Sequence, residues 1–353
     1  MPTIVSQSYS EWEGRDTVRH RRKLTRRQVL RAVSAAVAAM PLAGAPLLGR
    51  RAFGQTEWPS RPVRVIVPYP PAGGADTVSR ILFQKLGELW NAQFVIDNRG
   101  GAGGTIGAAA AAKADRDGYT VLYDATAHSV NPFLYPKLPY DTVEDFQAVF
   151  LASLVANILV VNNAVPAKTI DDVITLAKAS PGGLDFASSG NGTVQHLSLE
   201  LFRMRAGVKL NHIPYRGGAP ALNDVIGGQV KFFFSNGASS VGHIQGKALK
   251  AIAHTGRGRL GTLPDLPAVA ETLPGFEAYE WNGVFVPSGT PGAIVQKLNA
   301  GLNLVLRQGD VVARLKQLNV EFRENTPDEF RAFVAAEMEK WERVVKDANI
   351  KLG

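Results

Sequence analysis

The chain has 353 residues, no cysteine and a formal net charge of +8 at pH 7, and the lack of cysteine excludes disulfides, thiol nucleophiles and thiolate metal sites. Residues 1–54 hold ten of the 39 basic and three of the 31 acidic residues, so the other 299 residues carry a net charge of only +1. The basic character therefore belongs to the N-terminal segment, and it indicates neither a nucleic-acid partner nor an anionic membrane surface.

The N-terminal segment resembles a twin-arginine (Tat) export signal. Arg26 and Arg27 are followed by an apolar run from Ala32 to Leu48, and small residues precede a predicted cleavage after Gly54. A membrane anchor is the alternative, but the run has only 17 residues and is rich in Ala, Gly and Pro. The pattern predicts that residues 55–353 form the mature protein and that it is located in the periplasm.

A strand, a glycine loop and a helix follow one another from Val63 to Arg80. The β-branched residues of 63–67 predict a buried strand, and the prolines after it forbid further pairing. Gly73 and Gly74 allow a sharp turn, and Asp76 is predicted to cap the helix that follows. Such a helix N-terminus points unpaired N–H groups at one spot, which suits an anion, although a plain strand-to-helix turn is the alternative.

Strands and helices alternate along the rest of the chain. Further strands are predicted at Phe94–Asn98, Tyr119–Asp124, 184–188, Leu210–Tyr215, Val230–Phe234, Leu249–His254 and Gly283–Pro287. Further helices are predicted at Ile106–Ala114, 170–179 with Thr169 as N-cap, 193–205, 219–226, Ala293–Leu306 and Pro327–Ala348. In the apolar run Phe146–Asn162 the β-branched residues favour two successive strands or one long crossing strand over a helix. This order predicts a mainly parallel α/β sheet with its loops at one edge.

The opening motif is repeated later in the chain. A short strand enters the Ser- and Gly-rich loop 188–192, and a helix begins near Thr193. The next strand leads into Arg216, Gly217 and Gly218 and another helix. Two sets of such units predict two similar lobes that face each other across a cleft.

Four motifs together resemble the Bug-type receptors, the extracytoplasmic solute-binding proteins of tripartite tricarboxylate transporters. The motifs are Val67–Asp76, Asp97–Gly107, Ser188–Thr193 with His196, and His212–Leu222. The resemblance covers residues 58–353. It implies a type II periplasmic-binding-protein fold, in which two α/β lobes enclose a central cleft and the chain crosses between them twice. Residues 55–157 plus 281–353 are expected to form lobe 1, and residues 158–280 lobe 2.

The resemblance also implies what the protein binds. A small carboxylate is expected in the cleft, for transfer to the membrane permease subunits of the transporter, with no cofactor, no metal, no catalysis and a monomeric state. The ligand-binding residues expected are Tyr69, Ala72, Gly73, Gly74, Asp76, Thr126, His128, Ser189, Asn191, Gly192, Thr193, Tyr215, Gly217 and Gly218.

Several of these side chains have an alternative role. Asp76 is as well suited to capping its helix as to contacting a ligand, since an anion would repel a carboxylate. Tyr69 and Tyr215 are alternatively core residues. His128 is a better ligand candidate than His196, which is expected to pack on its helix or brace the loop.

An exported NAD(P)-dependent oxidoreductase is the main alternative function. The loop Gly101–Gly107 follows a strand like a dinucleotide fingerprint, but its spacing is GxGxxxG, and Asp124 is a poor ribose partner. A hydrolase is less favoured because the chain has no Gly-x-Ser-x-Gly elbow, and no metal-ligand spacing such as HExxH occurs.

Overall fold

A computed structural model describes residues 58–71 and 73–350. The predicted export signal and the predicted ligand residue Ala72 lie outside the described residues. Across 58–71 and 73–350, no helix is both long and apolar enough to cross a membrane.

The described residues form nine strands. They are β1 (Val63–Val67), β2 (Phe94–Asn98), β3 (Thr120–Ala125), β4 (Phe146–Val161), β5 (Leu184–Ser188), β6 (Leu210–Pro214), β7 (Phe232–Asn236), β8 (Lys250–His254) and β9 (Tyr279–Pro287). The run for which two alternatives remained open is thus one strand, β4. Its β-branched and aromatic side chains pack well on a pleated surface buried on both faces.

Ten α-helices accompany the strands in the described ranges. They are α1 (Gly74–Trp90), α2 (Thr105–Ala112), α3 (Ala127–Leu134), α4 (Ile170–Lys178), α5 (Val194–Ala206), α6 (Gly218–Gly227), α7 (Gly237–Gln245), α8 (Gly292–Leu306), α9 (Gly309–Gln317) and α10 (Pro327–Asp347). Short 3₁₀ helices lie at Ala102–Gly104 and Val269–Glu271. Helices α3, α7 and α9 were not predicted. The predicted N-cap Thr169 is confirmed, because its side chain accepts the Asp172 N–H at 3.2 Å.

The strands form one continuous sheet with the order β2-β1-β3-β9-β4-β7-β5-β6, and β8 pairs with β4 as well. The sets β1–β2–β3 and β5–β6–β7 are each parallel. Strands β4 and β9 are antiparallel to their neighbours. The expectation of a mainly parallel sheet therefore holds within each set and is wrong for β9 and β4, which lie between the two sets. There the chain runs across the sheet in β4 and returns in β9.

Strand β4 connects the two parallel sets. Its residues 146–156 pair with β9, and its residues 157–161 pair with β7 and β8. The fold is the type II periplasmic-binding fold, in which two α/β lobes share two crossing strands. In both parallel sets the carboxyl ends of the strands point toward the boundary between the two lobes. The loops and helix N-termini that follow these strands therefore come close together.

Separate apolar clusters hold each set of strands to its helices. Val65, Leu82 and Leu302 belong to a cluster that packs α1 and α8 on one face of β1–β3. Phe186 and Phe234 belong to a second cluster around β5 and β7. Each fully buried side chain of this size stabilises the fold by about 1.5–3 kcal/mol relative to its exposed state. These clusters fix the directions in which the strand ends point.

Candidate functional site

A cavity of about 680 Å³ lies where the strand ends of the two sets meet. Its lining includes residues at or just before the first turns of five helices, α1, α3, α5, α6 and α7. The polar residues of its lining are Tyr69, Thr77, Thr126, Asn131, Tyr135, Ser189, Asn191, Thr193, Gln195, Asn236, Ser239, Glu280 and Asn282. First-turn N–H groups have no partner within their own helix, so the cavity is surrounded by donors and positive dipole ends.

The first wall is the turn from β1 into α1. Gly73 is the N-cap of α1, in an extended conformation with no side-chain cap, and Gly74 lines the cavity. The prediction that Asp76 caps this helix is therefore wrong, because the helix begins two residues earlier. Asp76 lies in the first turn, where its charge favours the positive end of the helix.

Asp76 is buried and engaged by its own neighbours rather than directed into the cavity. Its carboxylate accepts hydrogen bonds from Arg80 Nε at 3.0 Å and from Asn98 Nδ2 at 2.9 Å. Arg80 also forms an ion pair with it. Because the guanidinium balances the carboxylate, Asp76 adds little repulsion toward an anion in the cavity.

A hydrogen-bond network behind the same wall joins the partly buried Tyr69 to the buried Asp124 and His128. The Tyr69 hydroxyl donates to Asp124 Oδ1 at 2.8 Å, and His128 Nδ1 lies 3.1 Å from Asp124 Oδ2. Burial and the neighbouring Asp124 raise the pKa of Tyr69 well above its ordinary value, so its hydroxyl stays a donor. Tyr69 lines the cavity. His128 is fully buried, and its ring is stacked on Phe285 at 4.1 Å between centroids, which keeps it out of the lining.

Thr126 closes the floor between β3 and β9. Its hydroxyl donates to the Tyr279 carbonyl at 3.3 Å and accepts the Trp281 N–H at 2.9 Å. Thr126 lines the cavity, but both of these bonds hold the start of α3 against the crossing strand. Its side chain is thus a structural link at the edge of the site.

The second wall is the loop between β5 and α5. Ser189, Asn191, Gly192 and Thr193 all line the cavity. Thr193 is the N-cap of α5, and its hydroxyl accepts the His196 N–H at 3.4 Å and donates to the Gly190 carbonyl at 2.8 Å. The side chains of Ser189 and Asn191, in contrast to that of Thr193, form no hydrogen bond with the described residues. They are therefore the polar groups of this loop that remain available to a ligand.

Two stacked histidines brace this loop from behind. The rings of His196 and His212 are 3.7 Å apart and nearly parallel. His196 Nδ1 accepts the Gly192 N–H at 3.1 Å, and His212 Nε2 lies 2.5 Å from Ser188 Oγ. Burial, with His212 nearby, lowers the pKa of His196 to about 3, and burial lowers that of His212 to about 4. Both rings are therefore neutral at pH 7 and act as loop supports.

The turn from β6 into α6 contributes one predicted residue to the lining. Gly218 lines the cavity, whereas Gly217, the N-cap of α6, donates its N–H to the Ser189 carbonyl at 3.1 Å. Tyr215 points away, and its hydroxyl donates to Asp224 at 2.7 Å. Burial and that hydrogen bond raise the pKa of Tyr215 to about 12.

The lining also includes Gln195, Asn236 and Glu280, which were not among the predicted ligand residues. Gln195 lies in the first turn of α5, Asn236 at the end of β7, and Glu280 near the start of β9. Gln195 Nε2 and Asn236 Nδ2 both donate to Glu280 Oε2, at 3.1 Å and 2.9 Å. No local motif joins them, because 85 positions separate Gln195 from Glu280 and the fold alone brings them together.

The loop Gly101–Gly107 owes its glycines to close packing. A side chain at Gly107 would lie 2.7 Å from Pro68 and 2.8 Å from the Arg99 carbonyl. Gly103 has a φ of +63° and lines the cavity beside Tyr135. Asp124, which the sequence already made a poor ribose partner, is bonded to the Tyr69 hydroxyl and to the Ala125 N–H. These contacts explain the glycine pattern without a dinucleotide.

Curated proteins match this chain over most of their length. A protein from the tcbD–tcbE intergenic region of Pseudomonas sp. strain P51 is 39% identical over 290 residues, which are 82% of this chain and 86% of that protein. The protein BugT of Bordetella pertussis is 36% identical over 298 residues, 84% of this chain and 91% of BugT.

Solved structures match it equally well. Rpa4515 from R. palustris, solved with adipate, has a TM-score of 0.74 and 34% identity. The match covers 84% of this chain and 100% of the Rpa4515 chain. MatC from Rhodopseudomonas palustris with bound malate has a TM-score of 0.69 and 32% identity. The match covers 81% of this chain and 99% of the MatC chain. The model of the tripartite tricarboxylate transporter family receptor matches residues 78–350. The chain therefore belongs to the tripartite tricarboxylate transporter receptor family, as a solute-binding receptor of the Bug type.

Proposed function

We propose that the protein captures a small carboxylate between its two lobes in the periplasm and delivers it to the permease subunits of a tripartite tricarboxylate transporter. The observation that carries this proposal is the cavity itself. Gly74 of one wall and Asn191 of the other line the same space, at the starts of α1 and α5. The adipate and malate in two related structures support the same ligand chemistry.

Helix starts supply the binding energy for the carboxylate. Each helix N-terminus contributes about 0.3–1 kcal/mol toward an anion when exposed and up to about 2 kcal/mol when partly buried. We propose that the ligand contacts are made by Gly74, Ser189, Asn191, Gly192, Thr193 and Gly218, with the Tyr69 hydroxyl at the rim. Asp76, His128, Tyr215 and Gly217 act behind these residues, and Ala72 and Gly73 belong to the same loop.

We propose that the two lobes close around the ligand by moving about the two crossing strands. We propose that the lobes divide at residues 157 and 280, and the change of β4 partners between Ala156 and Asn157 supports this division. The protein acts as a monomer that binds without turnover, and residues 1–54 are the twin-arginine signal removed on export. A ligand that touches both walls stabilises the closed form.

A thermal-shift panel tests this function. The purified protein is heated with mono-, di- and tricarboxylates and with amino acids, one compound at a time. An acid present at 100 times its dissociation constant adds about 2.7 kcal/mol to the free energy of unfolding, which raises the melting temperature measurably. A melting temperature unchanged by every acid would contradict the receptor function, as would turnover of any of them.

A further inference from the structure

We infer that the ligand is an amino acid or a related amino carboxylate, whose cationic nitrogen is recognised by Glu280. This inference rests on the proposed carboxylate receptor function and narrows its ligand class. It depends on the charge of the cavity lining and on the hydrogen bonds of one side chain.

The lining carries one acidic side chain and no basic one. Among the described residues around the cavity, Glu280 is the sole carboxylate, and none is Lys, Arg or His. Asp76 and Asp124 are near, but Arg80 pairs with the first, and Tyr69 and His128 bond to the second. Glu280 therefore sets the charge that a ligand meets at this end of the cavity.

The hydrogen bonds of Glu280 leave one of its oxygens open. Gln195 and Asn236 both donate to Oε2, at 3.1 Å and 2.9 Å, and none of the described residues donates to Oε1. The two amides fix the side chain of Glu280 where β9 begins. A carboxylate oxygen only accepts hydrogen bonds, so a ligand that displaces water from Oε1 must supply a donor in its place.

An ammonium group fits this oxygen and a second carboxylate does not. The helix starts on both walls attract the carboxylate of the ligand, as proposed above. An N⁺–H donor beside Glu280 gains a charge-assisted hydrogen bond in a space partly shielded from water. A second carboxylate at the same place meets a like charge with no cationic side chain to offset it. The cavity thus distinguishes an amino carboxylate from a diacid by charge.

Glu280 also has a purely structural alternative role. It bonds to α5 through Gln195 and to the end of β7 through Asn236, so it ties the crossing strand β9 to the second parallel set. A residue with only that role would influence the affinity of every ligand alike. Selectivity for the amino group is the property that separates the two roles.

The test measures affinities for acids that differ by one amino group. Titration calorimetry compares aspartate with succinate, glutamate with glutarate, 4-aminobutyrate with butyrate, and phenylalanine with 3-phenylpropanoate. The proteins are the wild type, Glu280→Gln, and the control Glu339→Gln, which removes the same charge from an exposed site on α10. Thermal melting of each variant without ligand checks that it is folded.

We expect the aminated member of at least one pair to bind the wild type about tenfold or more tightly than its partner, the size of a charge-assisted hydrogen bond. Glu280→Gln reduces this ratio to about threefold or less, while Glu339→Gln leaves it unchanged. Tighter binding of the acids without the amino group, or an equal ratio in the wild type and Glu280→Gln, overturns the inference and leaves the carboxylate receptor standing. If no acid of either kind binds, the receptor function itself fails, and this inference fails with it.

Discussion

At the scale of single residues, the cavity walls depend on side chains that stand behind them. Asp124 is 2% exposed and receives hydrogen bonds from the Tyr69 hydroxyl and the Ala125 N–H, both at 2.8 Å. His128 lies against its other oxygen. A buried carboxylate is costly unless its oxygens are bonded, so this network is sensitive to the loss of any member.

Removal of the Tyr69 hydroxyl tests that network. Tyr69→Phe leaves Asp124 Oδ1 with one donor fewer, and we expect the free energy of unfolding to fall by about 1.5–3 kcal/mol. The control Tyr119→Phe removes hydroxyl contacts with exposed Ser60, at 3.0 Å, and should cost under about 0.5 kcal/mol. Urea unfolding at pH 7 measures both changes. Equal losses in the two variants would count against the network.

The stacked histidines predict how stability depends on pH. The folded pKa values, about 3 for His196 and about 4 for His212, lie below the ordinary value of 6.5. The unfolded chain therefore binds protons more readily than the folded one. The free energy of unfolding is unaffected by protonation of these two histidines above pH 6.5, and it declines as the pH falls from 6.5 toward 4. The decline is at most about 1.4 kcal/mol per pH unit for each ring.

The variant His212→Gln isolates this effect by urea unfolding at pH 7 and pH 5. We expect the wild type to lose more stability than the variant over this interval. Glu321, whose pKa burial raises to about 7, acts with the opposite sign, because its folded form holds a proton that the unfolded form releases. Glu321 is the same in both proteins, so it cancels in the comparison. Equal losses in the two proteins would exclude His212 as a cause of the pH dependence.

At the scale of helices and strands, close packing of α1 on α8 fixes the direction of the first wall. Gly301 of α8 lies against Trp90 and Leu86 of α1. A Cβ at this glycine would overlap the indole and lie 2.8 Å from Leu86 Cδ1. Because α1 carries the Gly74 turn, its packing determines where that turn points.

Two glycine-to-alanine changes of opposite expected sign test this packing. Gly301→Ala should lower the free energy of unfolding by about 1–3 kcal/mol, the usual cost of overpacking a core. Gly242→Ala, inside α7 with no atom within 4 Å of the added methyl, should raise it by about 0.5–1 kcal/mol. Thermal unfolding of both variants gives the comparison. A neutral or stabilising Gly301→Ala would show that the two helices can shift apart.

Local patterns predicted most of these elements, and the failures have physical causes. The strands β1 and β3 follow directly from the residues of their runs, whereas the run of β4 predicted strand structure but left one strand and two strands as alternatives. Helix α3 was missed because Pro132 lies inside it, and α7 because Gly237 and its serines resemble a loop. Both helices begin at strand ends, where tertiary packing overrides weak helix propensity.

Site residues that lie in one continuous strand–loop–helix segment were predicted. Site residues that only the tertiary structure brings together were missed. Gly74 and Asn191 follow strands and precede helices, a pattern visible along the chain. Glu280 and Asn236 meet only because β9 and β7 flank the same strand, β4. A buried acid such as Asp76 cannot be assigned from sequence, because its role depends on where Arg80 and Asn98 lie.

At the scale of the whole molecule, two walls of helix N-termini enclose one shared cavity. The crossing strands β4 and β9 are continuous with both parallel sets, so they keep the walls opposite each other. An anion in the cavity is then attracted from both sides. We propose that this attraction holds the ligand carboxylate at the Gly74 wall.

Titration calorimetry with two matched variants tests whether the carboxylate binds at the Gly74 wall. Gly74 and Gly292 are each the first residue of a helix with open space around the Cβ position, and only Gly74 lines the cavity. Aspartate at either position suits its helix dipole, but Gly74→Asp places a negative charge where the ligand carboxylate is proposed to bind. For the acid that raises the melting temperature most, we expect binding to Gly74→Asp to be at least about a hundredfold weaker and binding to Gly292→Asp to be unchanged. Wild-type affinity in a folded Gly74→Asp protein would show that the carboxylate binds elsewhere.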